Sequence, residues 1–293
     1  MSVFTKYTFQ DIQFREVINL NNFKEVCNNF IQKFICSFHD YDNLYLITKL
    51  YDGFIINHLD YSWNEKQIQF FSACLIQSFD SLRKKKLIHR DIHFLNIVLD
   101  EKQYINLIDF HIAIKYKDKN DPKRNFIGSP QLCAPEMIDF LEYDYNSDYY
   151  RLGGMIYYII FKKYPNEIKK EENKTDIYIN YDKSLNYSFS CIDFVNQLII
   201  TNNKKRIGFN DIEELKNHDF FKNFDWNKLI NGNMISPFKK ILGKKLDLCS
   251  SPFIFKKKFF IKTELLKDEN FTKKFFMFDN INDNVINEII KSF

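Results

Sequence analysis

The chain has 293 residues, 45% of them hydrophobic and 27% charged, a composition that excludes a disordered tail and is typical of a globular protein. Its 42 Lys and Arg exceed its 38 Asp and Glu by a net charge of only +4, which argues against a nucleic-acid-binding protein. The first of its 7 glycines is Gly53, so no glycine-rich phosphate-binding loop precedes that residue.

Neither the cysteines nor the apolar residues indicate export or membrane insertion. The 6 cysteines include no C-x-x-C pair and no zinc spacing, which favours reduced thiols. The N-terminus has no signal-peptide pattern, and the longest apolar stretch, residues 155–161, is too short to span a bilayer. We therefore expect a cytoplasmic protein without a membrane span.

The N-terminal part of the chain predicts a small sheet and one helix. Residues rich in β-branched and aromatic side chains predict strands near 3–9, 33–38 and 43–49. Between the first two of these, residues 14–26 have the apolar spacing of a helix. Because only these strand-like segments precede Gly53, we expect a sheet of about three strands.

After Asn64 the pattern changes from strands to helices. Apolar residues that recur at intervals of three and four predict one long amphipathic helix. Two short strands follow at residues 95–99 and 104–108, joined by a polar turn. The apolar stripe of the helix consists of Ile68, Phe71, Leu75, Phe79 and Leu82.

The remainder of the chain predicts a buried helical core and a surface strap. Residues 149–161 are apolar on all sides, which is typical of a buried central helix. Helical spacing returns at residues 192–199 and 211–216. The C-terminal part alternates basic and aromatic clusters, and such side chains can pack along a surface while their charges remain hydrated.

The residues best suited to chemistry lie in order between positions 89 and 136. His89-Arg90-Asp91 is followed five residues later by Asn96, and Asp109-Phe110-His111 begins 13 residues after Asn96. Ala134-Pro135-Glu136 completes the series. These landmarks resemble the catalytic loop H-R-D-x-x-x-x-N, the D-F-G metal-binding motif and the A-P-E triplet of protein kinases. One such triplet is weak evidence, but the ordered series is specific.

The resemblance implies an α+β fold of the two-lobed protein-kinase type. It implies a truncated, β-rich N-lobe with the hinge at residues 1–50, a mostly helical C-lobe at 51–224 and a C-terminal tail at 225–293. The implied reaction transfers the γ-phosphate of ATP, bound with Mg²⁺, to a serine or threonine hydroxyl of a protein substrate. We expect a monomer that binds a protein substrate or a scaffold partner and no nucleic acid.

The same resemblance assigns the catalytic and metal-binding roles. Asp91 orients the substrate hydroxyl and accepts its proton, while Asn96 and Asp109 present oxygen atoms to Mg²⁺. His93 replaces the lysine expected two residues after the catalytic aspartate, and the loss of that permanent charge costs ~10²–10³ in rate. Taken alone, Asp91 is an ordinary turn residue and His89 a buried core histidine, and the resemblance leaves His89 in that structural role.

Nucleotide-binding residues are implied in the N-terminal part. Lys6 resembles the lysine of the V-A-I-K strand and Glu16 its partner on the next helix, although ungapped counting places Asn19 there instead. Both charges also have a simple interpretation as surface residues. Thr48 matches the gatekeeper position, and the backbone of residues 49–51 (Lys49, Leu50 and Tyr51) is expected to contact adenine.

Further landmarks refine the resemblance to the AGC group. Asp148 matches the aspartate that begins the buried helix and braces the catalytic loop, and Arg206 matches the arginine that pairs with Glu136. Ser236-Pro237-Phe238 is similar to the start of an AGC tail. Asp109-Phe110-His111-Ile112-Ala113, together with the sequence GKKLDLCSSPF, resembles the YANK family within that group.

Three functions are compatible with these residues. A protein serine/threonine kinase is favoured by the retained Asp91, Asn96 and Asp109, with activity reduced by the replaced lysine. A pseudokinase that acts as a binding scaffold is favoured by His93 and by the lack of a glycine-rich loop. A small-molecule phosphotransferase would have a similar set of acidic residues. The intact A-P-E triplet of this chain, which ends in Glu136, and its AGC-like tail argue against that function.

Overall fold

A computed structural model describes residues 2–7, 29–39, 44–51, 53–55, 59, 62–116, 130–139, 144–167 and 178–239 of the chain. Within these ranges the side chains of residues 2–7, 36–39 and 44–47 are not described. No helix in the described ranges combines the length and the apolar character needed to cross a membrane.

The N-terminal part forms a three-stranded antiparallel sheet. Strands β1 (Ser2–Tyr7), β2 (Phe34–His39) and β3 (Leu44–Lys49) lie in the order β1-β3-β2. Thr48 of the central strand is paired with Val3 on one side and with Phe34 on the other. The three strands predicted from sequence are confirmed, whereas the helix predicted at residues 14–26 lies outside the described residues.

A short segment before β2 attaches this sheet to the rest of the protein. Ile31 forms a parallel bridge with Leu107, which donates its amide to the carbonyl of Phe30 at 2.9 Å and accepts from the amide of Gln32 at 2.8 Å. The hydroxyl of Ser78 also donates to the Phe30 carbonyl at 2.7 Å. Residues 30–32, which precede β2, are therefore joined by hydrogen bonds to Leu107 and to Ser78 in the larger part of the protein.

The long helix predicted from the apolar stripe is α1 (Glu65–Lys84). Asn64 begins it with a capping box, in which Asn64 and Gln67 each accept the other's backbone amide, satisfying two amides that otherwise have no helical partner. All five residues of the stripe are buried, at most 2% exposed. The hydrophobic pattern therefore predicted both the helix and the face that it buries.

Five further short strands lie in the part of the chain that the structure describes: β4 (Gly53–Phe54), β5 (Leu87–Ile88), β6 (Ile97–Leu99), β7 (Ile105–Leu107) and β8 (Ile114–Lys115). β4, β6 and β7 form one antiparallel sheet, and β5 pairs with β8. The strand predicted at 95–99 begins only at Ile97, because Phe94–Asn96 form a 3₁₀ turn.

The other α-helices in the described ranges are α2 (Pro135–Ile138), α3 (Asn146–Phe161), α4 (Phe189–Leu198), α5 (Glu213–Lys216) and α6 (Trp226–Ile230). α3 is the predicted central helix and packs against α4. A Cβ atom on Gly153 would lie 2.6 Å from the Cβ of Leu198 on α4, so this close approach requires glycine.

The chain after α6 returns along the surface to the turn between β6 and β7. The hydroxyl of Tyr104 donates to the carbonyl of Met234 at 2.7 Å and accepts from its amide at 2.9 Å. Ser236 donates to the Gln103 carbonyl at 2.8 Å, and Phe238 is buried with its ring centroid 4.8 Å from that of Trp63. The strap predicted farther along lies among residues 240–293, outside the described residues.

Candidate active site

Two loops hold the candidate catalytic residues, and each runs between the strand pair β5-β8 and the strand pair β6-β7. Residues 89–96 lie between β5 and β6, and residues 108–113 lie between β7 and β8. Because β5 pairs with β8 and β6 with β7, both loops emerge from the same framework. The amide of Ile108 donates to the carbonyl of Asn96 at 3.0 Å, which joins the loops directly.

Asp148, near the start of α3, fixes the beginning of the first loop. Its carboxylate accepts the backbone amides of His89 at 2.8 Å and Arg90 at 2.9 Å. Arg90 has a positive φ of 70°, a conformation that a non-glycine residue adopts only when its surroundings impose it. Burial raises the pKa of Asp148 to about 6, although the two amides and Arg151 favour its charged form. The predicted brace is confirmed.

His89 is a fully buried neutral histidine. Its Nε2 donates to the Ile108 carbonyl at 3.1 Å, and its Nδ1 accepts the amide of Asp91 at 3.3 Å. Burial lowers the pKa of His89 to about 4 and outweighs the nearby charges of Asp91 and Asp109, which act in the opposite direction. The ring therefore holds both loops together, as expected for a structural residue.

Asp91 is held from one side only. Its Oδ2 lies 3.2 Å from Nε2 of His93 and 3.3 Å from Nδ2 of Asn96. Its Oδ1 is buried and has no hydrogen-bond partner among the described residues. Burial acts to raise the pKa of Asp91, but the hydrogen bond from His93 and the charges around the carboxylate outweigh it and lower the pKa to about 2. The carboxylate is therefore ionised at neutral pH, with one oxygen unused.

His93 is committed to the loop through both ring nitrogens. Its Nδ1 accepts the amide of Leu95 at 3.2 Å and so caps the 3₁₀ turn, which places the ring proton on Nε2. That proton is donated to Oδ2 of Asp91. The loop therefore gives His93 a contact with the catalytic-loop aspartate that its position in the motif did not predict.

Asn96 and Asp109 lie at the ends of the joined loops. The side-chain nitrogen of Asn96 donates to the Asp91 carbonyl at 2.9 Å, which leaves its Oδ1 to accept or to bind a cation. Asp109 has a positive φ of 67°, and its amide donates to Oε1 of Gln32 at 3.2 Å. Asn96 therefore has its side-chain nitrogen anchored and Asp109 its backbone nitrogen, and each keeps at least one side-chain oxygen without a hydrogen bond from these anchors.

His111 contacts the Asp109 carboxylate directly. Its Nδ1 and its backbone amide both donate to Oδ1 of Asp109. Burial acts to raise the pKa of Asp109, and the hydrogen bond and charge of His111 outweigh it and lower the pKa. A cation would therefore bind the second oxygen, Oδ2, or displace the imidazole from Oδ1.

The donor set fits a magnesium ion that shares its coordination with a ligand. Carboxylate and amide oxygens are the donors that Mg²⁺ prefers, and it is bound in such sites through one or two protein groups and phosphate oxygens. In the described ranges no group of three or more His, Cys, Asp or Glu side chains is arranged to hold a metal ion. Asn96 and Asp109 would therefore need oxygens from a bound nucleotide.

The predicted hinge lies next to this site. The amide of Lys49 donates to the Lys33 carbonyl, and the hydroxyl of Tyr51 accepts the Lys33 amide, both at 2.9 Å. Burial raises the pKa of Tyr51 to about 12. Since Gln32 contacts Asp109, residues 32–33 connect the hinge to the candidate metal ligand.

Of the other residues predicted to bind the nucleotide, some are described by the structure and some lie outside the described residues. Thr48 is buried at the end of β3, and Leu50 is half-buried in the hinge. Lys49 extends away to an ion pair with Glu101, 2.8 Å between Nζ and Oε2. The side chain of Lys6 and all of Glu16 lie outside the described residues.

A buried ion pair joins the A-P-E triplet to a later part of the helical region. Arg206 makes two parallel bonds to the carboxylate of Glu136, of 2.7 Å and 2.9 Å, and Ser147 donates to the same carboxylate at 3.0 Å. Arg206 also donates to the carbonyls of Asn146 and Ile200. Both charges are buried and hydrogen-bonded, as such a pair requires. The predicted pairing of Glu136 with Arg206 is confirmed.

Sequence reasoning missed several of the contacts that build the site. Gln32 is separated from Asp109 by 77 positions and belongs to no motif, so no local signal marks it. His111 stands where the D-F-G motif has glycine, and nothing in the sequence indicates its bond to Asp109. Arg151 is buried on α3, and its positive charge acts to lower the pKa values of Asp91 and Asp148. The only sequence signal for this contact is that Arg151 follows Asp148 by three positions, which places both on one face of the helix.

The geometry agrees with what is found among known proteins. Residues 5–221 match the family described as "Protein kinase domain". Serine/threonine-protein kinase sgk-1 of Caenorhabditis elegans is 30% identical over 225 residues, which cover 75% of the chain and 48% of that relative. Serine/threonine-protein kinase YPK2/YKR2 of Saccharomyces cerevisiae is 29% identical over 222 residues, covering 72% of the chain and 32% of that relative.

Rhodopsin kinase GRK1 of Homo sapiens is also similar, 27% identical over 229 residues that cover 73% of the chain and 41% of that relative. The chain therefore matches about half or less of the length of these curated relatives, which belong to the AGC group. With a family match over most of its length and the two joined loops in place, the chain belongs to the protein kinase domain family.

Proposed function

We propose that this chain is a protein serine/threonine kinase that transfers the γ-phosphate of ATP to a hydroxyl of a protein substrate. The observation that carries the proposal is the unused Oδ1 of Asp91. A buried carboxylate oxygen without a partner is costly, and a substrate hydroxyl that donates to it would remove that cost. Matches to kinases named as serine/threonine-specific support the choice of acceptor.

Asp91 acts chiefly by orienting the hydroxyl. A carboxylate with a pKa of about 2 is a weak base, so it accepts the proton only late, when bond formation to phosphorus has made the hydroxyl acidic. Phosphoryl transfer depends mainly on position and charge, which suits this arrangement. His93 and Asn96 hold Oδ2, and they thereby direct Oδ1 toward the acceptor.

Asn96 and Asp109 would hold Mg²⁺ through Oδ1 and the carboxylate, respectively. Bound there, Mg²⁺ neutralises charge on the phosphate oxygens. His111 donates to Asp109 and keeps the carboxylate ionised and oriented. The backbone of Lys49, Leu50 and Tyr51 would contact adenine beside the buried Thr48, and Lys6 and Glu16 remain the proposed phosphate-binding pair.

Finer assignments follow from the sequence motifs. We infer a YANK-like kinase of the AGC group, with domain limits at residues 50 and 224. A monomer located in the cytoplasm, acting on a protein substrate, is the form that we propose. The retained Asp91, Asn96 and Asp109 support catalysis over a purely binding role.

The test is transfer of labelled phosphate from ATP to a mixture of serine and threonine peptides in the presence of Mg²⁺. Asp109→Asn should lose at least about 10²-fold of the transfer rate, because it removes one charged magnesium ligand. Asp182→Asn is a matched control, since Asp182 is exposed and asparagine caps a helical turn equally well. Absence of transfer by the wild type, or equal rates for both variants, would refute the proposal.

A further inference from the structure

The segment before β2 reaches the candidate metal ligand with one side chain. Oε1 of Gln32 accepts the backbone amide of Asp109 at 3.2 Å, across 77 positions of the chain. The backbone of Gln32 is itself fixed, because its amide donates to the carbonyl of Leu107 at 2.8 Å. The preceding residue, Ile31, also forms a bridge with Leu107. Gln32 therefore contacts β7 with its backbone and the loop after β7 with its side chain.

This contact acts on a backbone that has an unfavourable conformation. The φ of Asp109, 67°, lies in the left-handed region, which a residue with a Cβ atom adopts only at a cost in free energy. Without Gln32, the amide of Asp109 would also lose its acceptor in a half-buried loop. Rotation of the peptide unit would relieve both costs, and it would move the carboxylate attached to the same Cα atom. The bond from Gln32 therefore opposes a displacement of the proposed magnesium ligand.

The charged groups around the site act elsewhere on Asp109. His111 donates to Oδ1 of Asp109, which restrains the carboxylate and not the amide. The other carboxylate of the two site loops, that of Asp91, accepts hydrogen bonds from side chains of its own loop. Gln32 is uncharged, so it holds the backbone of Asp109 without competing with a cation for the carboxylate, as a lysine or arginine would.

We propose that Gln32 is a positioning residue that sets the affinity of Asp109 for Mg²⁺. The inference rests on the proposed function, in which Asp109 and Asn96 hold Mg²⁺ together with phosphate oxygens of ATP. Mg²⁺ demands near-ideal octahedral geometry, so a displaced carboxylate binds it less tightly. Loss of a partner that orients a metal ligand typically costs about 10–100-fold in metal affinity. Because Gln32 holds the backbone of the ligand and not its carboxylate, we expect a cost of about tenfold.

Binding of ATP and of adenosine to the full chain tests the inference without requiring turnover. Adenosine has no phosphates, so its affinity depends on the hinge and not on the metal. Isothermal titration calorimetry in saturating Mg²⁺ gives both Kd values. Gln32→Leu keeps the approximate size of the side chain but removes the acceptor oxygen. It should weaken the binding of ATP about tenfold and leave the binding of adenosine unchanged.

Gln69→Leu is the matched control. Gln69 is half-buried like Gln32, and its side chain also makes a hydrogen bond to a backbone group, the carbonyl of Phe220 at 2.6 Å. It lies on α1, outside the hinge and the two site loops. This variant should therefore keep the wild-type affinity for both ligands, although it loses a comparable bond.

A second measurement detects the contact itself in the protein without nucleotide or metal. Hydrogen exchange at the amide of Asp109, followed by NMR, should become about tenfold faster in Gln32→Leu, because the amide loses its acceptor. The rate should stay at the wild-type value in Gln69→Leu. Unchanged exchange in Gln32→Leu would overturn the inference.

The binding data can overturn the inference in three further ways: the wild type binds no ATP in Mg²⁺, Gln32→Leu weakens adenosine as much as ATP or weakens neither, or Gln69→Leu has the same effect as Gln32→Leu. The expected binding pattern without phosphate transfer to serine and threonine peptides would refute the kinase proposal and support the role of Gln32. Phosphate transfer by the wild type, with unchanged ATP affinity in Gln32→Leu, would refute the role of Gln32 alone.

Discussion

Among the described residues, two sets of buried charges, Glu136 with Arg206 and the groups around Asp91, are organised in opposite ways. The pair formed by Glu136 and Arg206 is closed, since its carboxylate accepts from Arg206 and Ser147 and its guanidinium reaches two carbonyls as well. Around Asp91 the polar groups are left incomplete, with a buried Oδ1 that has no partner in the described ranges. The first arrangement stabilises a fold, and the second is suited to a ligand.

Two of the seven non-glycine residues with positive φ in the described ranges lie in the site loops. Arg90 and Asp109, in the two site loops, both have positive φ values, a strain that persists only where neighbouring contacts impose it. Asp148, His89 and Gln32 supply those contacts. The residues that hold the loops are therefore structural, and the residues that they present are the ones to which we assign function under the proposed activity.

The largest expected effect is on the closed pair. Arg206→Met leaves the carboxylate of Glu136 buried without its partner, and we expect the free energy of unfolding to fall by about 3–5 kcal/mol. Urea unfolding at neutral pH measures the change. The double variant Glu136→Gln/Arg206→Met should lose less than Arg206→Met alone, and a loss below about 1 kcal/mol for Arg206→Met would contradict the account.

The second expected effect, of about 2 kcal/mol, is on the pH dependence of the free energy of unfolding. The pKa of His89 is about 4 in the folded protein and 6.5 in the unfolded chain, so the folded state binds fewer protons in between. Its stabilising contribution is complete above the higher value and is lost as pH falls through the lower one. Between about pH 7.5 and pH 5, the stability advantage of wild type over His89→Gln should therefore shrink by about 2 kcal/mol.

Urea unfolding of both proteins at the two pH values measures this difference. Asp148, whose raised pKa acts in the opposite direction, is present in both proteins and cancels from the comparison. A constant difference between wild type and His89→Gln would show that His89 is not held neutral in the fold.

A smaller effect is expected on nucleotide binding. ATP with Mg²⁺ should stabilise the fold by about 1.4 kcal/mol when its concentration is ten times its Kd, and by almost nothing when Mg²⁺ is chelated. Asp109→Asn should remove the increment that depends on Mg²⁺. A thermal-shift titration measures both, and a shift that survives chelation and the substitution would place the nucleotide at another site.

The sequence predicted the elements with strong local signals. The apolar stripe of α1 and the mostly apolar α3 are predictable because helical periodicity is local. Motif spacing places Asp91 beside Asn96 and puts Asp109 in the adjoining loop. The bond from Asp109 to Gln32 could not be predicted, because it joins positions 77 apart without a motif. The orientation of His93 depends on the 3₁₀ turn, which the strand pattern at 95–99 had hidden.

The contrast between closed and open charges is tested most directly by Asp91→Asn, with phosphate transfer and thermal unfolding measured on the same preparation. Asparagine keeps the shape and the bonds at one oxygen but removes the acceptor charge, so transfer should fall at least about 10²-fold. The melting temperature should stay close to that of wild type, because Oδ1 supports no contact in the described fold. Retained transfer together with a large loss of stability would show that Asp91 is a structural residue, contrary to the account.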